Sequence, residues 1–260
     1  MRGRPRHHGI LYEKGVSLLV RLTKAEPAGR VYCEGRSAAP RSQRHLPAAV
    51  AARPVSFRHR RERARIYAMR CMFQLVVDDE LGLVLAEERH AQAMTELILR
   101  NQARLARWEP WAEQAPTLDS TRAYIRSALE DFLRGRQIST IIALDHGRRF
   151  IGRCGIRINP YAGSGDIGYW IDREYEGRGI TSRAAQALVS STFDELGLTK
   201  MELRTSVANT RSRALAERLG FSFEGILPGA LQFSNRADDV ALYGVTAAEW
   251  SSSRLTPRAV

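Results

Sequence analysis

From residue 73 onward, short runs of apolar residues alternate with stretches in which apolar positions recur at helical spacing. Phe73–Val77 and Leu81–Leu85 predict two short strands joined by the acidic turn Asp78-Asp79-Glu80. Ala91, Met94, Leu97, Ile98 and Leu105 share one face at a period near 3.6, which predicts a helix over 88–107. Trp108-Glu109-Pro110-Trp111 ends it, because proline cannot continue the helical hydrogen-bond ladder. A second helix, capped by Asp119 or Ser120, carries Tyr124, Ile125, Leu129, Phe132 and Leu133. Ile138–Leu144 and Phe150–Ile158 read as a hairpin around Asp145-His146-Gly147. Next come a strand at Asp166–Ile171, a helix at Ile180–Leu196, a strand at Met201–Val207 and a helix at Thr210–Leu219. Strands at Phe221–Leu227 and Val240–Val245 complete a mixed α/β unit with no internal repeat.

Charge divides the chain. Residues 1–68 hold 16 Lys+Arg and 4 Asp+Glu, whereas residues 69–260 hold 24 of each sign, so the net charge of +12 sits in the first quarter. That quarter has prolines at 5, 27, 40, 47 and 54, clustered arginines and no sustained period. Such a segment buries too little apolar surface to offset its ordering entropy. Residues 1–68 are therefore expected to be a disordered basic extension, or an artefact of a start that belongs at Met69 or Met72. The second is preferred, since Met72 directly precedes the first patterned strand. Nucleic-acid binding, the usual partner of a basic chain, is confined to that extension. The domain of interest is 69–260.

Cys33, Cys71 and Cys154 lack metal-ligand spacing, so no metal is expected and the thiols read as free in a reducing compartment. No apolar run approaches the roughly 18 residues of a membrane span. The patch Val16–Val20, after Glu13 and Lys14, makes a poor signal peptide. A cytoplasmic protein without a membrane partner is expected.

Ile167–Thr181 carries the most chemistry. It reads as strand, glycine turn and helix start, an order that aims free backbone N–H groups at one point where the helix dipole favours an anion. Gly177-Arg178-Gly179 suits a phosphate, although such turns also occur without any ligand. About thirty residues on, Asn209-Thr210-Arg211-Ser212 leads to Glu217-Arg218-Leu219-Gly220-Phe221. Together the two elements resemble those of the GNAT family, the acetyl-CoA-dependent N-acetyltransferases. The nearest likeness is to the RimJ/RimL-like branch, which acetylates ribosomal-protein N-termini.

The resemblance covers about residues 73–250. It implies a central mixed, mostly antiparallel sheet, splayed between its fourth and fifth strands and flanked by helices. Here those strands would be 166–171 and 201–207. It implies acetyl-CoA as co-substrate, held by Glu176, Gly177, Arg178, Gly179, Ile180 and Thr181. The family pattern Gln/Arg-x-x-Gly-x-Gly/Ala is broken at Glu176 and at Thr181. A backbone N–H at the splay, at Trp170 or Ile171, would polarise the thioester carbonyl. Asn209 suits a helix N-cap and Gly220 the end of the same helix. Ser212 shares a face with Leu215, Ala216 and Leu219, which turns it inward. It is either a proton donor to the thiolate or a capping-turn serine. The family's tyrosine acid would fall at Ala216.

No base is assigned. The family glutamate falls at Leu231, with Asp238 and Asp239 a little further on. Glu109, Asp166 and Glu202 could reach a site through a water or be plain surface charges, and His146 reads as a turn residue. Trp108-Glu109-Pro110-Trp111 resembles the branch's tryptophan-proline-tryptophan segment beside the acceptor. Trp108, Glu109 and Trp111 are thus candidate substrate contacts, or else buried packing. The implied acceptor is a primary amine such as a ribosomal-protein N-terminus. A small amine or antibiotic, a non-catalytic acyl-CoA-binding module and a homodimer stay open.

Overall fold

The computed structural model describes residues 73–255, so the basic extension 1–68, Met69, Met72, Cys33 and Cys71 lie outside the described residues. Eight strands form one sheet in the order β1-β2-β3-β4-β5-β6-β8-β7. They are β1 (Gln74–Val76), β2 (Gly82–Leu85), β3 (Gln137–Leu144), β4 (Arg149–Asn159), β5 (Ser164–Ile171), β6 (Lys200–Ser206), β7 (Ser222–Gln232) and β8 (Ala237–Thr246). The helices are α1 (Ala91–Leu105), α2 (Leu118–Leu133), α3 (Ile180–Leu196), α4 (Thr210–Leu219) and α5 (Ala247–Leu255). The predicted mixed α/β sheet is therefore present, each of its eight strands falling where a strand is expected.

The side chains of each central strand alternate between two cores. Ile141, Trp170 and Phe150 pack beneath α1 and α2 with Met94, Leu97, Leu105 and Ile125. On the opposite face, Ile156, Ile167, Ile171, Met201, Leu203 and Tyr243 pack beneath α3, α4 and α5. Their contributions include Leu188, Ala216 and Trp250. Burying both faces requires apolar residues at successive strand positions, which explains the unbroken run Ile138–Leu144 apart from its serine and threonine.

Every neighbouring pair is antiparallel except β5 and β6. That parallel pair is joined only from Ser164–Lys200 to Asp166–Glu202. Beyond Asp166 the two strands part, and the sheet opens into a slot between Ile167–Ile171 and Leu203–Ser206.

Some local readings change. The cap of α2 is Thr117, whose hydroxyl accepts from the Ser120 N–H at 3.1 Å, rather than Asp119 or Ser120. Ser120 completes a reciprocal capping box by accepting from the Thr117 N–H. Tyr124 and Leu133 fall on the solvent flank of α2 instead of its core stripe. β7 runs to Gln232, five residues past the expected end, so Leu231 is a strand residue opposite Asp238. The turn after β3 does contain Asp145 and His146, both at positive φ.

Candidate active site

The segment after β5 forms a short 3-10 turn, Arg173–Tyr175, and then the glycine turn that starts α3. Gly177 and Gly179 sit at φ of 75° and 68°, left-handed values that a Cβ disfavours. A Cβ on either would meet nothing within 4 Å, so both are needed for backbone shape rather than for space. Gly179 is the N-cap, and no side chain caps the helix there. First-turn N–H groups of a 17-residue helix thus face an open lip. Arg178 stands at this lip with its guanidinium 5.2 Å from the Tyr175 ring centre, while Ile180 is buried in the core and Thr181 is half-buried. The Glu176 carboxylate is taken by Arg104 Nη1 at 2.6 Å and by Arg211 Nη1.

The ladder decides which β5 groups face the slot. The Asp172 N–H donates to the Ile151 carbonyl on β4 at 2.7 Å. Backbone direction alternates along a strand, so the N–H of Trp170 also faces β4. Those of Tyr169 and Ile171 face the slot, and the Ile171 carbonyl indeed accepts from Arg104 rather than from β4. Of the two expected N–H donors, Ile171 is the one turned toward the gap. Trp170 instead lends its indole to the core under α1.

Two hydroxyls meet on the α4 side of the slot. Tyr169 Oη lies 3.1 Å from Ser212 Oγ. The Asn209 side chain accepts from the Ser212 N–H at 3.2 Å and so caps α4 as expected, while Gly220 ends the helix at φ 91°. The Ser212 hydroxyl is therefore turned to Tyr169 and is not the capping group. Burial pushes the Tyr169 phenol well above its ordinary range, and the bond to Ser212 only partly offsets this. The phenol thus stays protonated. Ala216 is fully buried and offers no hydroxyl.

The opposite face carries the carboxylates. The α1–α2 loop is tied to the β7–β8 hairpin through Glu113, which accepts from the N–H and the hydroxyl of Ser234, both at 2.9 Å. A second tie runs from Arg236 to the Arg107 carbonyl at 2.8 Å. Within this loop Trp111 is 49% exposed, and its indole N–H donates to Glu109 Oε2 at 2.9 Å. Trp108 is half-buried, with the Arg107 guanidinium 4.7 Å from its ring centre. Core packing thus does not account for the pair. Burial raises the Glu109 carboxyl pKa against the Trp111 bond and the charges of Arg153 and Arg157; Asp166 acts on it as well. Asp166 is the last β5 residue paired with β6, so this carboxylate influence comes from the closed end of the slot. Burial also raises Asp166, opposed first by Arg157 at 3.2 Å.

The other carboxylates are engaged. Glu202 holds Arg204 at 2.9 Å and Lys200 at 3.6 Å. Asp238 accepts from Ser206 Oγ at 3.2 Å and from Arg236 Nε at 3.0 Å, and Asp239 accepts from the Gly229 N–H. Cys154 is fully buried, with its thiol pushed up to about 12, and is inert at neutral pH. Among the described residues, no three His, Cys, Asp or Glu side chains are grouped to hold a metal ion, and no helix is long and apolar enough to cross a membrane.

Sequence reading missed Arg104, Arg211 and the partnership of Tyr169 with Ser212. Arg211 lay within the quoted Asn209–Ser212 element. Arg104 is one of two arginines on α1, with Arg100, and no pattern distinguishes it.

The family described as an acetyltransferase (GNAT) domain matches residues 80–222, more than half of the chain. The chain belongs to this GNAT family. It is an acetyl-CoA-dependent acetyltransferase by class. YdaF of Bacillus subtilis (strain 168) is 31% identical over 188 residues, which are 70% of this chain and all of YdaF. The ribosomal-protein-serine acetyltransferase of Escherichia coli (strain K12) is 29% identical over 168 residues, 64% of this chain and 93% of that protein. Among solved structures, the RimL ribosomal L7/L12 alpha-N-protein acetyltransferase in complex with coenzyme A superposes with a TM-score of 0.64. It is 26% identical, and the match covers 66% of this chain and 97% of that one. The fold and the glycine turn of this GNAT chain fit coenzyme A: an open helix start for its phosphates, a slot for its arm, and two hydroxyls within the slot.

Proposed function

We propose that this protein transfers an acetyl group from acetyl-CoA to a primary amine, with a ribosomal-protein N-terminus as the preferred acceptor. The observation that carries the transfer is the division of labour across the slot. Hydroxyls of Tyr169 and Ser212 stand on one face, and the half-buried Glu109 carboxylate, bonded to the Trp111 indole, stands on the other. The names of the relatives in Escherichia coli and of the RimL structure support the choice of acceptor. Exposed Trp111 beside an anionic carboxylate also suits a protonated α-amine.

Acetyl-CoA supplies, when bound, a thioester whose carbonyl is open to attack by a neutral amine. Glycine-turn N–H groups and the α3 dipole hold its phosphates. The Ile171 N–H, facing the slot, donates to the carbonyl oxygen as negative charge develops there. Glu109, with one oxygen bonded to Trp111, receives the ammonium proton on the other, directly or through a water. The amine nitrogen then bonds the acetyl carbon as the carbon–sulfur bond breaks. Ser212, held in place by Tyr169, gives its proton to the departing sulfur and recovers one from the attacking nitrogen, directly or through a water, so the amide and the free thiol both leave neutral.

Leu231 favours a second reading, an acyl-CoA-binding module without turnover. Purified full-length chain, acetyl-CoA and a panel of N-terminal peptides and small amines separate the readings. Release of free thiol with a peptide supports transfer to N-termini; release with small amines alone moves the acceptor class. Tight CoA binding with no release for any amine supports the module.

A further inference from the structure

Glu176 occupies the position where the glycine-turn pattern carries glutamine or arginine, and its carboxylate is fully engaged. Oε1 accepts from Arg104 Nη1 at 2.6 Å, and Oε2 accepts from Arg211 Nη1. Arg104 comes from the last turn of α1 on one face of the sheet, and Arg211 from the first turn of α4 on the other. The three residues therefore span the open end of the β5–β6 slot. Arg104 also reaches the Ile171 carbonyl, which faces that slot, and Asn101 Oδ1 at 3.1 Å.

Two details show that the clasp is incomplete as a purely structural device. Arg104 Nε is buried and has no hydrogen-bond partner. The Arg211 side chain is 83% exposed and is held by Glu176. Beside the clasp lies a cavity of about 450 Å³ lined by Arg100, Asn101, Arg104, Asp172, Arg173 and Glu174. Two guanidiniums at the start of a phosphate-binding helix are thus held by one carboxylate.

We infer that Glu176 is an internal substitute for a diphosphate, holding Arg104 and Arg211 until the diphosphate of coenzyme A takes them over. This rests on the acetyl-CoA reading above. A carboxylate offers two oxygens and one negative charge. A diphosphate diester offers four non-bridging oxygens and two charges, enough to serve both guanidiniums and the orphaned Arg104 Nε. Released Glu176 turns to solvent, and the slot opens at the end where the pantetheine arm must enter. Binding therefore exchanges one set of ion pairs for another, which lowers net affinity for coenzyme A. It also favours donors with a diphosphate over short thioesters without one, because only a diphosphate displaces the carboxylate.

Calorimetry with coenzyme A on the full-length protein, Glu176→Gln and Arg211→Met tests this, with S-acetyl-pantetheine as the donor lacking phosphate. Glu176→Gln should bind coenzyme A roughly three- to tenfold more tightly, the range expected for relieving partly exposed ion pairs. Its affinity for S-acetyl-pantetheine should gain less. Arg211→Met, a change at an exposed side chain, should bind coenzyme A more weakly and with a shallower salt dependence. A folded Glu176→Gln protein that binds coenzyme A no tighter than wild type overturns the inference. So does an Arg211→Met protein of unchanged affinity, whether or not Glu176→Gln folds. If wild type itself binds no coenzyme A, the acetyl-CoA reading fails first, a result distinct from either.

Discussion

Tyr169 Oη and Ser212 Oγ, from strand β5 and helix α4, lie 3.1 Å apart on the same side of the slot between β5 and β6. The contact joins β5 to α4 beside the slot proposed for the thioester. It leaves the cap of the helix to Asn209 and directs the Ser212 hydroxyl at Tyr169, as the proposed proton donor requires. Ser212→Ala should lower kcat about a hundredfold, the lower range for losing a general acid, and leave coenzyme A affinity within about twofold. Tyr169→Phe should cost about three- to tenfold, since it removes orientation but not the donor. Thiol release and equilibrium binding, measured on the same preparations, check both values.

Glu109 should govern the acid limb of the pH profile. Its folded pKa is raised by burial, so kcat/KM should rise with pH through a value above the ordinary 4.5, and Glu109→Gln should lose that limb. An acid with a raised folded pKa favours folding fully below its unfolded pKa and loses that contribution as pH rises through the folded value. Glu109→Gln should therefore melt higher than wild type at pH 7.5, and the gap should close as pH falls through 4.5. A gap that widens toward acid would show that the carboxylate is stabilised when charged.

The glycine turn can be separated from ordinary strain. Gly179→Ala and Gly197→Ala place a Cβ at nearly equal φ, 68° and 65°, with open space around each. Each should lose about 1–2 kcal/mol of stability in a denaturant titration. Only Gly179→Ala should also weaken coenzyme A binding, because Gly197 ends α3 at its far side.

Asn209 links folding to chemistry. Asn209→Ala removes the cap of α4 and should cost about 1 kcal/mol. The same helix end carries Ser212, so kcat should fall alongside stability. Asn209→Asp, which can still accept the Ser212 N–H, should recover most of both.

The fold was largely legible because its strands and helices have different apolar periods, and buried strands such as Ile138–Leu144 leave little room for another reading. The glycine turn and the Asn209 cap were legible for a similar reason, since each depends on a local backbone requirement that few residue types meet. Thr117 was missed as a cap because Asp119 and Ser120 are equally good capping residues and only the path of the chain chooses between them. Tyr169 carries no local signal, since an aromatic residue is ordinary strand content. Its role depends on α4, more than forty residues away, lying over the same face. Arg104 and Arg211 are two of 37 arginines, and their meeting at Glu176 is a purely tertiary fact.

Acetyl-CoA-dependent thiol release by the full-length protein with a ribosomal-type N-terminal peptide tests the central claim most directly. Transfer predicts one thiol for each acetylated α-amine, a rate that rises with pH under the control of Glu109, and near-loss of the rate in Ser212→Ala. Coenzyme A binding with no thiol released from any peptide or small amine would contradict it and leave a binding module built on an acetyltransferase fold.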